Sequence, residues 1–168
     1  MEITGRHTYQ ADFPTVWGML ADPATMKARY EGLGHRDVTV VESSGDASSD
    51  KVSMKVHRTV DVDLPDLAKK VLKPTAVCVQ LDEWWVDGDG RGGRFSVETK
   101  NQPVEIKGKT RLWPGEGATT EFEVTLEVKV KVPMIGGKIA GIMRGDAEKL
   151  MRDEFAWNDA RLAQITGH

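Results

Sequence analysis

The sequence contains a single cysteine, Cys78. A lone thiol excludes an internal disulfide and cannot supply the thiolates of a structural zinc centre. No window holds 18 uninterrupted apolar residues, which excludes a membrane-spanning helix and stable membrane insertion. The opening "MEITGRHTYQADF" lacks the apolar segment of a secretory signal, so a cytoplasmic setting is expected. Positive charge is not in excess. The 23 Lys and Arg stand against 26 Asp and Glu, a formal net charge of −3, and no basic run occurs. That balance excludes the electrostatic footprint of a nucleic-acid binder. Repeats, low-complexity tracts and linkers are also missing, and residues 1–168 are expected to form a single domain.

What is present is periodicity of two kinds. Ile3, His7 and Tyr9 share one parity of a first strand. Phe13, Val16, Trp17 and Leu20 then follow helical spacing behind a capping Asp12 and Pro14. Asp22-Pro23 restarts that pattern through Met26, Tyr30 and Leu33, so two short helices are expected. From Val38 the period is two. "KVSMKVHRTVDVD" places Val52, Met54, Val56, Val60 and Val62 on one face, and "TEFEVTLEVKVKV" does the same with Phe122, Val124, Leu126, Val128, Val130 and Val132. Strands with one dry and one wet face belong to an antiparallel sheet. "LPDLAKKVLKP" interrupts as one short amphipathic helix, either a lid or a surface connection. The last segment, from Ile135 to Ile165, carries Ile135, Ile139, Ile142, Met143, Leu150 and Trp157 in one apolar stripe. About 30 helical residues would span roughly 45 Å. Gly136, Gly137, Gly141 and Gly145 predict a bend or fraying in its first half.

Several motifs suggest chemistry and are weaker than they look. "DGDGRGGRFSVE" places Asp87, Asp89, Gly92 and Glu98 at positions 1, 3, 6 and 12 of a calcium loop. Arg91 stands where an oxygen ligand is required, and both flanks read as strands, so a Gly-rich hairpin turn is expected. "GGKIAG" around Lys138 fails the phosphate-loop pattern, because Val132 and Ile139 occupy its obligatory positions. His7, His35, His57 and His168 show no metal-ligand spacing. Cys78 lies mid-strand with no activating cation in view and reads as inert. Of the five tryptophans, Trp84 and Trp85 must point to opposite faces of one strand. Arg58 and Asp146 are polar residues at dry positions. Each is expected to form a rim ion pair or to orient a ligand, because a buried charge must be paired.

The order of elements resembles the helix-grip fold of the START-like superfamily, which includes lipid-transfer START domains, the birch-pollen-allergen family and polyketide cyclases. The likeness spans Ile3 to Ile165. The stretches "ADFPTVWGMLAD", "LDEWWVDG" and "GDAEKLMRDEFAWNDARLAQI" are similar to an uncharacterised bacterial branch of it. The resemblance implies an α+β fold: a curved antiparallel sheet of about seven strands wrapped around a long C-terminal helix, with two short helices after the first strand. Because the superfamily shares a cavity and no set of catalytic residues, no catalytic residue, metal or cofactor is assigned.

The expected function is binding of a hydrophobic or amphipathic small molecule, lipid- or polyketide-like, between sheet and helix. Its expected wall is Met54, Val56, Val97, Ile106, Phe122, Val124, Leu126, Ile139, Met143 and Leu150, with Arg58, Thr110 and Asp146 as polar contacts. A cyclase or dehydratase acting on such a ligand is the alternative. The nearly apolar dry parities speak against that reading, since chemistry needs converging polar groups. A protein-interaction module without ligand is a third reading, and a homodimer remains open.

Overall fold

A computed structural model describes residues 1–167; His168 lies outside the described residues. The chain runs β1 (Glu2–Tyr9), α1 (Phe13–Leu20), α2 (Pro23–Gly32), β2 (Arg36–Ser44), β3 (Lys51–Asp61), α3 (Asp66–Lys69), β4 (Thr75–Asp87), β5 (Gly90–Thr99), β6 (Val104–Pro114), β7 (Thr120–Val130), α4 (Gly136–Ile142) and α5 (Arg144–Thr166). All seven strands join one antiparallel sheet in the order β1-β7-β6-β5-β4-β3-β2. The expected α+β architecture is therefore present, with the terminal helix lying across the sheet's inner face.

Local chemistry explains the breaks. Asp12 accepts the amide of Thr15 and Asp22 accepts that of Ala24, and prolines occupy the first turns of both α1 and α2. The acidic stretch after β4 is a turn. Gly88 takes φ +58° between the paired residues Asp87 and Gly90, a conformation that favours glycine. The short helix expected as a lid or a surface connection is smaller than its pattern suggested. α3 is one turn, and Leu64, Ala68 and Leu72 are buried with Ile139 and Ala140.

The C-terminal segment is two helices rather than one. Met143 ends α4 with ψ −2°, far from the α-helical value near −42°, and its amide bonds the carbonyl of Ile139. The glycine-rich first half lowers helix propensity and allows this bend. α5 runs 23 residues, roughly 35 Å at 1.5 Å per residue. Its inner side carries Ala147, Leu150, Met151, Phe155, Asn158 and Leu162, half-buried or buried. Gly5 permits close approach to β1, since a Cβ there would collide with Met151 Sδ.

Three apolar clusters result. The first joins α1, α2, β3 and Trp84; the second joins α3, α4 and the end of β7; the third is Ile3, Val124 and Met151 beneath α5. No helix among the described residues is long and apolar enough to cross a membrane.

Candidate functional site

Antiparallel pairing puts directly opposed residues on one face, so the register builds the site in rows. One row crosses the sheet as Met54, Asp82, Phe95, Gly108 and Leu126. The next reads Val56, Gln80, Val97, Ile106 and Val128. On β4, then, Cys78, Gln80, Asp82 and Trp84 point inward, while Val77, Val79 and Leu81 point outward. The expectation of a nearly apolar inner face fails on this strand.

Between these rows and α5 lies a cavity of about 190 Å³. Its side walls are apolar: Phe95, Val97, Ile106, Phe122, Val124 and Leu126 from the sheet, Ala147, Leu150, Met151 and Phe155 from the helix. Its other end is polar, formed by Tyr9, Arg29, Tyr30, Arg58, Gln80, Asp82, Glu154 and Asn158. A larger trough of about 860 Å³ lies on the sheet's outer face, where Arg94, Lys107 and Lys109 interleave with Glu83, Glu123 and Glu127. Opposite charges compensate one another there, and the trough selects no ligand of one sign.

The polar end is a hydrogen-bonded network with gaps. Arg58 donates to Gln80 Oε1 from Nη2 (2.7 Å) and Nε (3.3 Å), faces His35 Nδ1 at 3.3 Å, and stacks 4.4 Å from the Tyr30 ring centre. Gln80 Nε2 donates to Tyr30 Oη and to Asp82 Oδ1, each at 2.9 Å. Across the cavity, Asn158 Nδ2 donates to Tyr9 Oη at 3.0 Å, and its Oδ1 accepts Arg29 Nη1 at 3.3 Å. Arg29 Nε is buried without a hydrogen-bond partner, and Glu154 Oε1 stands 3.9 Å from it.

Burial sets the ionisation here. It pushes the Asp82 carboxyl up to about 6, against the opposing pull of the Gln80 bond and Arg29. It pushes the Tyr9 and Tyr30 phenols up, so both stay neutral. His35 is held down to about 4 by burial first and by Arg58 second. Asp82 can therefore give or take a proton near neutral pH, and the two arginines offer donors to an oxygen-bearing group.

The structure brings Arg58, Val97, Ile106, Thr110, Phe122, Val124, Leu126 and Leu150 of the expected wall together around this cavity. It places the others elsewhere. Met54 and Val56 point inward but are sealed under α1 and α2 at 1% and 0% exposure. Ile139 and Met143 pack in the second cluster. Asp146 is exposed, because the seven-residue spacing from Ile139 does not carry through the bend at Met143. Arg58 makes no rim ion pair among the described residues; it is interior. His7 bonds Asp159 at 2.9 Å on the helix edge and stacks on Phe155, outside the cavity. Cys78 is buried.

Sequence reasoning missed Arg29, Gln80, Asp82, Glu154 and Asn158. Arg29 carried a signal, because it falls three residues after Met26 on the face already assigned inward. Gln80 and Asp82 shared parity with Trp84, but only the register with β3 shows that this parity faces in. Among the described residues, no three His, Cys, Asp or Glu side chains gather into a metal-binding group.

Solved structures share this architecture. The protein TTHA0849 from Thermus thermophilus is 16% identical with a TM-score of 0.62, over 98% of this chain and 99% of that one. The Zhui aromatase/cyclase from Streptomyces sp. R1128 is 15% identical with a TM-score of 0.57, over 98% and 92%. A START superfamily protein from Mycobacterium smegmatis is 11% identical with a TM-score of 0.55, over 98% of both chains. At these identities the likeness establishes the fold, which is START-like. No curated protein matches the sequence. Residues 4–160 match the family described as "Protein of unknown function (DUF2505)".

Proposed function

We propose that this chain, which belongs to the DUF2505 family, binds a small amphipathic molecule in the cavity between sheet and α5. One observation carries the reading: the cavity has apolar sides and a single polar end. The sides would accept an apolar body at about 25 cal/mol per Å² buried, and the polar end would fix its orientation. The volume of about 190 Å³ lies below the roughly 300–1,000 Å³ of most ligand pockets, which favours a small aromatic or branched body over a long-chain lipid. Residues 1–168 act as one domain in this reading, in a cytoplasmic setting. The START-like fold, shared with a protein named as an aromatase/cyclase, is compatible with it.

Native mass spectrometry of the purified chain, followed by organic extraction, tests the proposal together with calorimetric titration of phenylethanol. A bound low-mass species, or saturable phenylethanol binding, is expected. An empty protein that takes up no apolar probe would end the proposal, and a protein-interaction module would then be the better account.

A cyclase or dehydratase is the second reading, favoured by Asp82. A carboxyl poised near 6 inside a cavity suits general acid–base work. Elimination of water from a β-hydroxy ketone probe, lost in Asp82→Asn while probe binding persists, is its expected signature. An unchanged rate in that variant would exclude Asp82 from any such step.

A further inference from the structure

Arg29 is 9% exposed, yet its guanidinium makes one long hydrogen bond, to Asn158 at 3.3 Å. Its Nε has no partner, and the nearest carboxylate oxygen, on Glu154, is 3.9 Å away. A guanidinium presents five donors in a rigid fork suited to a carboxylate, and a buried one is normally paired and bonded. Arg58, 6% exposed, spends its donors on the neutral acceptors Gln80 and His35. Two buried cations thus border one apolar cavity, and neither is hydrogen-bonded to an anion.

We infer that the cavity selects an apolar molecule bearing one carboxylate, which seats at the polar end against Arg29 and Arg58. The inference rests on the binding reading above and names its substrate class. Charge counting supports a monoanion. With Asp82 and Glu154 ionised, the two guanidiniums are balanced; with Asp82 protonated, one positive charge is uncompensated. A dianionic phosphate would overshoot that balance among apolar walls. The ligand carboxylate and the Asp82 carboxylate therefore compete, and binding is coupled to proton uptake by Asp82.

The groups facing Asp82 are Arg29 and Tyr30 from α2, Arg58 from β3, Gln80 on β4 and Glu154 from α5, with apolar Phe95 from β5. Both tyrosines and His35 stay neutral across the working range, and Asp82 titrates within it. Its carboxyl already stands near 6 in the empty cavity, and an adjacent like charge raises it further.

Calorimetric titration of the full chain with phenylacetate, phenylacetamide and phenylethanol tests this. At pH 6 the carboxylate is expected to bind at least tenfold tighter than the amide. That advantage falls by up to about tenfold per pH unit above 6, with up to one proton taken up in buffers of differing ionisation enthalpy. Asp82→Asn should remove the pH dependence. Arg29→Gln should weaken phenylacetate binding at least tenfold more than phenylethanol binding. Amide or alcohol binding as tight as the carboxylate at pH 6, or no proton uptake by the unaltered chain, would overturn the inference and leave the binding reading intact. If none of the three probes binds, the inference falls, and the binding reading falls with it when the purified chain also carries no low-mass species.

Discussion

Asp82 departs from what folding alone favours. Its folded carboxyl is raised to about 6 from an ordinary value of 3.8, first by burial. The folded state therefore holds the proton more tightly than the unfolded chain between roughly pH 4 and 6. The stability from this group is fully present below that window and is lost as pH rises through it. Above pH 6 the charge opposes folding by on the order of 3 kcal/mol. Asp82→Asn keeps the size and the Gln80 contact and carries no charge. It is expected to be more stable than the native chain by about that amount at pH 8, with the difference shrinking to near zero at pH 4. Urea denaturation at the two pH values reads this directly. His35 acts in the opposite sense: its folded value is depressed to about 4, so its contribution is lost as pH falls through the range from its ordinary 6.5. Comparing variant with native chain at each pH isolates Asp82 from that background.

At the scale of elements, the fit of α5 on β1 depends on Gly5. A Cβ there would overlap Met151 Sδ, and Met151 is itself buried. Gly5→Ala should cost about 1–3 kcal/mol by overpacking. Met151→Ala alone should cost about 2–5 kcal/mol by the cavity it leaves. Because each substitution removes what the other clashes with or supports, the double variant should lose clearly less than the sum in a double-mutant cycle. Additive losses would mean that helix and strand do not meet at this pair. Gly145 is a different case, in the first turn of α5 with nothing within 4 Å of its absent Cβ. Gly145→Ala should raise stability by about 0.5–1 kcal/mol in thermal or urea unfolding. Elements of this kind were legible in the sequence. The caps Asp12 and Asp22 and the alternation of β3 and β7 name helices and strands by local chemistry. The bend at Met143 was only half legible: its glycines announced weakness, but where the phase resets depends on how α4 packs against α3. Asp146 was misplaced for that reason.

At the scale of the whole molecule, the walls of the cavity were largely readable and its polar end was not. Phe122, Val124 and Leu126 announce an inner face because their strand alternates strictly, with Glu121, Glu123 and Glu127 as the wet partners. On β4 both parities are mixed. Which one faces inward is decided by pairing Met54 with Asp82 and Val56 with Gln80, a long-range fact that local pattern cannot carry. The outcome is a hollow bordered by charged side chains where apolar packing would be more stable; under the binding proposal that hollow is kept for a ligand at some expense of stability. That trade can be tested without knowing the ligand. Ala147 lines the cavity from the first turn of α5 and is only half-buried. Ala147→Leu pushes three further carbons toward the hollow, each worth about 0.8 kcal/mol when buried without strain. The variant should be as stable as the native chain, or more stable by about 1 kcal/mol, and its affinity for phenylethanol should fall at least tenfold. If the position were already close-packed, the same substitution would instead cost about 1–3 kcal/mol, as overpacked cores do. Retained stability with lost binding identifies a hollow kept for a ligand; lost stability with undiminished binding places the ligand elsewhere.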